Sequence, residues 1–371
     1  MKNSETCLDE FKVDLRKIHQ NRKPGVSGMM RVKNDAEFLE ASVISCLPAL
    51  DELIIVYNDC SDDSPEIIKR MANKYPDKIK TYEYLPKIKA WNLSEEEADE
   101  ILSGKIPAEN TLAGYYNYAL SKTTREFVMK IDADQIYFTD KLKEICDAYR
   151  SKRFNKKYLY KYLFPIRTIL SFGSRIGFQF NFLGSKKIYS EYYNELILFI
   201  SHKKVNISLS GLNIVCSKGK IFVSLGKVTQ SDLNILPPFN GEGDHPIFKV
   251  TDETYFKPIV NAKYNTLNNI GISVIETLCG LGYLWVAGPC WLHLNACRTK
   301  NIESIQDNIR KFGDSFVEIQ EFIQSRFTKI SSHIETKLIN KSRKAIYIFL
   351  HSGLTKRDII ESLKLCNLKS Q

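Results

Sequence analysis

Short hydrophobic runs that alternate with helix-patterned stretches set the strongest limit on what this chain can fold into. Val26 to Val32 (VSGMMRV) reads as a buried strand. Residues 36–47 then carry apolar side chains at helical spacing, with Asn34 or Asp35 placed to cap them and Pro48 to end them. Leu53 to Tyr57 (LIIVY) has the β-branched character of a strand covered on both faces. Pro65 opens a helix that runs to about Tyr75. Ile79 to Tyr84 reads as a third strand, residues 94–103 and 109–121 as helices, and Phe127 to Ile131 (FVMKI) as a fourth strand. Such alternation predicts an α/β half over residues 1–149, with a mostly parallel sheet flanked by helices.

The pattern changes after residue 149. Residues 150–299 are expected to form a mixed, β-rich half, with a hairpin over 206–226 turning at Ser217-Lys218-Gly219. Residues 236–246 (LPPFNGEGDHP) form a loop rich in Pro, Gly and acid. Residues 300–371 read as a basic, helical C-terminal segment. The run Thr277 to Cys297 holds no Asp, Glu, Lys or Arg and has the length of a membrane span. Its Gly288-Pro289 pair reads instead as strand, turn and strand within a core. With 26% charged residues the chain is too polar for a polytopic membrane protein, and with 43% hydrophobic residues too apolar for a disordered one. Met1 to Phe11 lacks the apolar stretch of a signal peptide. The nine cysteines include no CxxC pair and read as reduced thiols of a cytoplasmic protein. Cys290, His293 and Cys297 have zinc-ligand chemistry, but their apolar setting favours buried thiols.

Two acidic loops follow the second and fourth strands, at the sheet edge where open α/β sheets bind ligands. The first is Asn58-Asp59-Cys60-Ser61-Asp62-Asp63-Ser64. The second, Asp132-Ala133-Asp134, sets two carboxylates two residues apart just past a strand. Carboxylates so spaced can turn towards one hard divalent cation that also holds substrate phosphates, the usual arrangement for Mg²⁺ or Mn²⁺.

With these residues in place, the chain resembles the nucleotide-sugar-binding half of glycosyltransferase A fold enzymes, and most closely glycosyltransferase family 2. Three segments carry the resemblance: VSGMMRVKNDAEFLEASVISCL, LIIVYNDCSDDS and REFVMKIDADQ. Their order and spacing agree over residues 25–140. The resemblance implies a metal-dependent, inverting glycosyltransferase of bacterial surface-polysaccharide type, serving lipopolysaccharide or capsule assembly. Its donor would be a nucleotide-diphosphate sugar, foremost a UDP-sugar. Its acceptor would be a glycan or lipid-linked glycan. Arg31, Lys33, Asn34, Asn58, Asp59, Lys130 and Asp132 are then expected near the nucleotide. Asp134 is expected to ligate Mn²⁺ or Mg²⁺ directly, with Asp132 and the late His293 as further ligands. Position 58 is Asn where the family usually has Asp, and Tyr116-Asn117 stands where it often has Arg-Asn, so either a phosphate contact is missing or Lys130 or Arg125 replaces it. An inverting enzyme needs a carboxylate base. The glycine-flanked loop Gly241-Glu242-Gly243-Asp244-His245 offers Asp244 and Glu242, with Asp244 preferred because His245 adjoins it.

The formal charge of +10 is unevenly spread. Residues 150–204 hold 12 Lys and Arg against two acids, together with 13 of the 39 Phe and Tyr. Residues 326–371 hold ten against three, which leaves the rest of the chain at −7. Basic residues among aromatics suit single-stranded nucleic acid or anionic headgroups. Beside a sugar-transfer half, peripheral contact with the inner face of an anionic membrane is the more coherent expectation, with no nucleic-acid partner. Two alternatives stand against this reading. A basic nucleic-acid-binding protein with a degenerate nucleotide half would bind in a steeply salt-dependent way. A nucleotidyltransferase would carry a Gly-rich basic loop where this chain has Val32-Lys33-Asn34-Asp35.

Overall fold

The computed structural model describes residues 9–151, 158–176, 181–225, 238–240, 245–266, 269–311, 313–327 and 344–366. Its strands in chain order are β1 Lys23–Val32, β2 Glu52–Tyr57, β3 Ile79–Glu83, β4 Arg125–Asp132, β5 Gln135–Tyr137, β6 Ile207–Ser217, β7 Lys220–Ser224, β8 Phe239–Asn240, β9 Pro246–Lys249, β10 Phe256–Thr266, β11 Asn269–Leu278, β12 Trp285–His293 and β13 Phe316–Glu318. The longer helices are α1 Ala36–Cys46, α2 Ser64–Lys74, α3 Glu95–Leu102, α4 Leu112–Lys122, α5 Thr139–Arg150, α6 Leu163–Ile176, α7 Lys186–Lys203, α8 Ile302–Lys311, α9 Ile319–Gln324, α10 Lys344–Ser352 and α11 Lys356–Leu365. The fold is mixed α/β with a mostly parallel central sheet flanked by helices, as the sequence pattern implies. Contacts divide the chain into two compact units. The first comprises residues 1–36, 50–133 and 248–283, and the second residues 37–49, 134–247 and 284–371.

In the first unit β4, β1, β2 and β3 lie side by side in that order, all parallel. Leu53, Ile54, Ile55 and Val56 of β2 are fully buried, as a central parallel strand requires. One face of the sheet packs Met29, Ile54, Val56 and Val128 against Tyr115, Ala119 and Leu120 of α4. Thr111 caps α4 by accepting from the Gly114 N–H, and Ser94 and Glu97 form a reciprocal capping box on α3. The hairpin of β10 and β11 is tied to α4 by Asn117, whose side chain accepts from Phe256 N–H and donates to Phe256 C=O, both at 2.8 Å.

In the second unit β6 pairs parallel to β12, and β12 pairs antiparallel to β5. The β6–β7 hairpin turns where expected. Ser217 faces Lys220, and Lys218 and Gly219 both take positive φ (49° and 75°), as a tight two-residue turn demands. Gly211 lies where any Cβ would meet the Trp291 indole at 1.9 Å.

Within residues 150–205, to which the sequence assigns no element, the described helices are α6 and α7, with no strand among the described residues there. One expectation is corrected. Gly288-Pro289 does not end a strand. β12 runs through it, and the register against β6 shifts on either side, between Val286 and Gly288 and between Pro289 and Trp291. Gly and Pro are accommodated as bulges rather than as a turn. Among the described residues no helix is long and apolar enough to cross a membrane.

Candidate functional site

In the first unit the C-terminal ends of β1, β2 and β4 share one sheet edge because the strands are parallel. Register places Arg31 beside Asp132 on one side and Val56 on the other. Side chains two apart along a strand share a face, so Lys130 and Asp132 project to the same side of β4. Arg31 and Lys130 both stand over the Tyr116 ring, at 5.4 and 4.8 Å from its centre. Lys130 Nζ is also 2.7 Å from Glu276 Oε1 of β11, with side chains only 14% and 8% exposed. Burial disfavours both cations. Tyr116, Glu276 and Asp132 outweigh it at Lys130, and Tyr116, Tyr115 and Asp132 outweigh it at Arg31, so both pKa values are raised and both groups stay charged. The Arg31 Nε is buried without a hydrogen-bond partner among the described residues. Two fixed cations next to a carboxylate at a strand edge form a surface fit for a diphosphate and its counter-ion.

The loops around this edge are held by their own polar groups. Asn34 and Asp59 both take positive φ, 56° and 48°. Asn34 Oδ1 accepts from the Ser61 N–H at 2.7 Å, and Asp62 accepts from the Ala36 and Ser64 N–H groups. Lys33 Nζ reaches Asp59 Oδ2 at 2.9 Å, and this hydrogen bond and charge lower the Asp59 pKa. Asn58 is buried and donates Nδ2 to the carbonyls of Tyr84 and Pro86, at 2.5 and 3.0 Å. An aspartate could not make those two donations, which gives the Asn at this position a structural reason. Arg125 begins β4 and Asp132 ends it, so Arg125 lies at the opposite end of that strand from Arg31 and Asp132. Lys130 is the better placed of the two basic residues weighed for phosphate.

In the second unit Asp134, immediately before β5, is 7% exposed. Arg298 lies 2.9 Å from its Oδ2, and His293 Nε2 lies 3.6 Å from its Oδ1. The Leu294 N–H donates to the Asp134 carbonyl, which fixes the backbone beside β12. His293 Nδ1 is 2.7 Å from Asn213 Oδ1, as the parallel register of β6 and β12 dictates. An amide oxygen accepts only, so Nδ1 carries the proton and Nε2 holds the lone pair of the neutral ring. A carboxylate and an imidazole nitrogen aimed at each other have the donor chemistry of a Mn²⁺ or Mg²⁺ site, with Arg298 as the cation that competes for Asp134. Among the described residues no cluster of three or more His, Cys, Asp or Glu is gathered. His245 is buried, with its Nε2 2.9 Å from Gln135 Nε2 and its ring 5.2 Å from that of Trp291. Asp244 and Glu242, the two candidate bases, lie outside the described residues.

Sequence reading missed Arg298, Asn213 and Glu276. Arg298 is the first charge after the uncharged run that ends at Cys297, and Asn213 is a lone amide inside an apolar strand. Both signals are visible once β6 and β12 are known to be neighbours.

Residues 16–162 match the family model described as beta-1,4-N-acetylgalactosaminyltransferase (CgtA). The matched stretch holds β1 to β5, Arg31, Lys130, Asp132 and Asp134. It bears out the glycosyltransferase resemblance for this part of the chain. No curated protein matches. Among solved structures, glucosyl-3-phosphoglycerate synthase from Mycobacterium tuberculosis, in complex with Mn²⁺, UDP-glucose and phosphoglyceric acid, is 18% identical over 33% of this chain and 37% of that one, with a TM-score of 0.20. Staphylococcus aureus TarS 1–349 in complex with UDP-GlcNAc is 17% identical over 38% of each chain, with a TM-score of 0.24. This chain therefore spans well under half the length of those proteins, and likenesses this partial carry no functional weight.

Proposed function

We propose that this chain is a glycosyltransferase that takes a nucleotide-diphosphate sugar, foremost a UDP-sugar, with Mn²⁺ or Mg²⁺, and passes the sugar to a glycan or lipid-linked glycan acceptor with inversion. The observation that carries the proposal is the Asp132-Ala133-Asp134 sequence closing β4 inside the stretch that matches a glycosyltransferase family. The activity of the matching family makes UDP-N-acetylgalactosamine the first donor to test. Lipopolysaccharide or capsule assembly is the setting the sequence resemblance favours.

In this reading Arg31 and Lys130 hold the diphosphate, and Tyr116 beneath them keeps both cations aimed at one spot. Their raised pKa values keep them charged throughout the neutral range. Asp134 would hold the divalent ion, with His293 Nε2 as a further donor, and Asp132 is the further ligand that the sequence resemblance adds. When bound, that ion would neutralise charge building on the leaving diphosphate. Asn213 fixes the His293 tautomer that presents a lone pair. The acceptor hydroxyl attacks C1 of the sugar as the C1–O bond to the nucleotide breaks. A carboxylate, Asp244 or Glu242, takes the hydroxyl proton.

Exposed Leu159, Phe164, Phe172 and Phe182 among the basic residues of 150–204 support peripheral contact with an anionic membrane at the cytoplasmic face. Flotation with anionic liposomes tests that part, and no recovery in the floating fraction would sink it. The activity itself is tested by a thermal-shift screen of UDP, GDP and CDP with Mn²⁺, since a ligand that binds the folded state raises apparent stability. A shift with one nucleotide, dependent on the metal, is expected. No shift with any of them contradicts the proposal.

A further inference from the structure

The second unit contains a cavity of about 310 Å³ that the transfer reading does not use. It is formed by α9, the end of α10, one face of α11 and the start of α7. Ile323, Ile360 and Leu363 give it an apolar wall, while Lys186, Arg326 and Lys356 stand at it as cations. No residue lining it is Asp or Glu. None of the three cations makes an ion pair with a described residue, and all three are exposed. This contrasts with neighbouring Arg357, which is paired with Glu361 and Asp140. Beneath them His351 is buried, with Nε2 2.8 Å from the Phe322 carbonyl and its ring packed between those of Phe322 and Phe327.

The contents of such a cavity follow from its chemistry. A purely polar anion would leave the isoleucine and leucine wall in contact with trapped water. A neutral hydrocarbon would leave three cations unanswered. Single-stranded nucleic acid asks for an open groove with stacking aromatics, and the lining has none. At about 30 Å³ for each water-sized group, the volume takes about ten such groups. That matches one short aliphatic chain better than a two-chain lipid. A phosphate monoester carries more than one negative charge near neutral pH, and so can answer several cations at once.

We propose that this cavity binds a single-chain amphiphile with a phosphate head, its chain against Ile323, Ile360 and Leu363 and its phosphate between Lys186, Arg326 and Lys356. The proposal is independent of the transferase reading.

Isothermal titration of the full chain with alkyl phosphates, kept below micelle formation, tests it. One saturable site is expected, and affinity rises about fourfold per added methylene until the cavity is full. Decyl maltoside, which has the same chain and a neutral head, binds at least tenfold more weakly. Changing Lys186, Arg326 and Lys356 together to Gln removes that preference and leaves the melting temperature unchanged. Ile323→Trp, which adds bulk to the apolar wall from a half-buried position, blocks both ligands. Failure of octyl and decyl phosphate to saturate one site overturns the proposal. So does equal binding of decyl maltoside, or full binding by the triple variant. Recruitment to phosphatidylglycerol vesicles without binding of decyl phosphate also overturns it, because the cations then serve a membrane surface and not a cavity.

Discussion

Replacing Arg298 with methionine isolates the charge balance at Asp134. The guanidinium lies 2.9 Å from Asp134 Oδ2, and the two side chains are 13% and 10% exposed. Removing one partner of a buried pair costs about 3–5 kcal/mol, because the remaining charge is left without compensation. A loss of about 3–5 kcal/mol is therefore expected. At about 1–2 °C per kcal/mol for a chain of this length, the melting temperature falls by about 3–10 °C. The assay is calorimetric melting of wild type and Arg298→Met, first in EDTA and then with Mn²⁺. A divalent cation at Asp134 restores the missing positive charge, so Mn²⁺ raises the variant's melting temperature more than the wild type's. The double variant with Asp134→Asn recovers most of the loss, because no carboxylate then remains to be compensated. Equal melting of wild type and Arg298→Met in EDTA would refute the reasoning. So would a double variant no more stable than the single one.

Other outcomes follow from the same geometry. Asn117→Ala removes both bonds to the Phe256 backbone and is expected to cost about 2–4 kcal/mol in chemical denaturation. Gly211→Ala drives a methyl group into the Trp291 indole and should cost about 1–3 kcal/mol, with a changed tryptophan emission spectrum. Lys141 donates to the Tyr189 hydroxyl and the Pro289 carbonyl, and burial lowers its pKa from 10.5 to about 8. The unfolded chain therefore binds more protons between pH 8 and 10.5, and stability rises with pH across that window. The stability difference between wild type and Lys141→Met should change by about 3 kcal/mol from the lower end to the upper, and a constant difference would count against the buried cation. Asn213→Leu frees His293 to take the other tautomer. A weaker Mn²⁺ dependence of donor turnover, with an unchanged melting temperature, is the expected result.

The parallel half was legible because its signals are local. β1, β2 and β4 each carry an apolar run followed by turn chemistry, and the hydrophobic pattern alone marks them. The Ser217-Lys218-Gly219 turn was legible for the same reason. The helices α6 and α7 were not. Their segment is dense in aromatic and β-branched residues, and Pro165 falls near the start of α6, so local preference points to strand while packing selects helix. The Gly288-Pro289 bulges in β12 look like a turn in the sequence because the same two residues serve both purposes. Asp132, Asp134 and His293 were visible as residue types. The Asn213 to His293 contact, between positions 80 apart, and the Arg298 to Asp134 pair depend on strand register that no local pattern encodes.

The most direct test of the account is calorimetric titration of UDP into the protein with Mn²⁺ and then with EDTA, repeated on Asp132→Asn and Asp134→Asn. The account predicts binding that needs the cation and is lost in both variants while their folds persist by circular dichroism. Binding of equal strength in EDTA, or in either variant, would contradict it, as would failure of UDP and every other nucleoside diphosphate to bind in the presence of Mn²⁺.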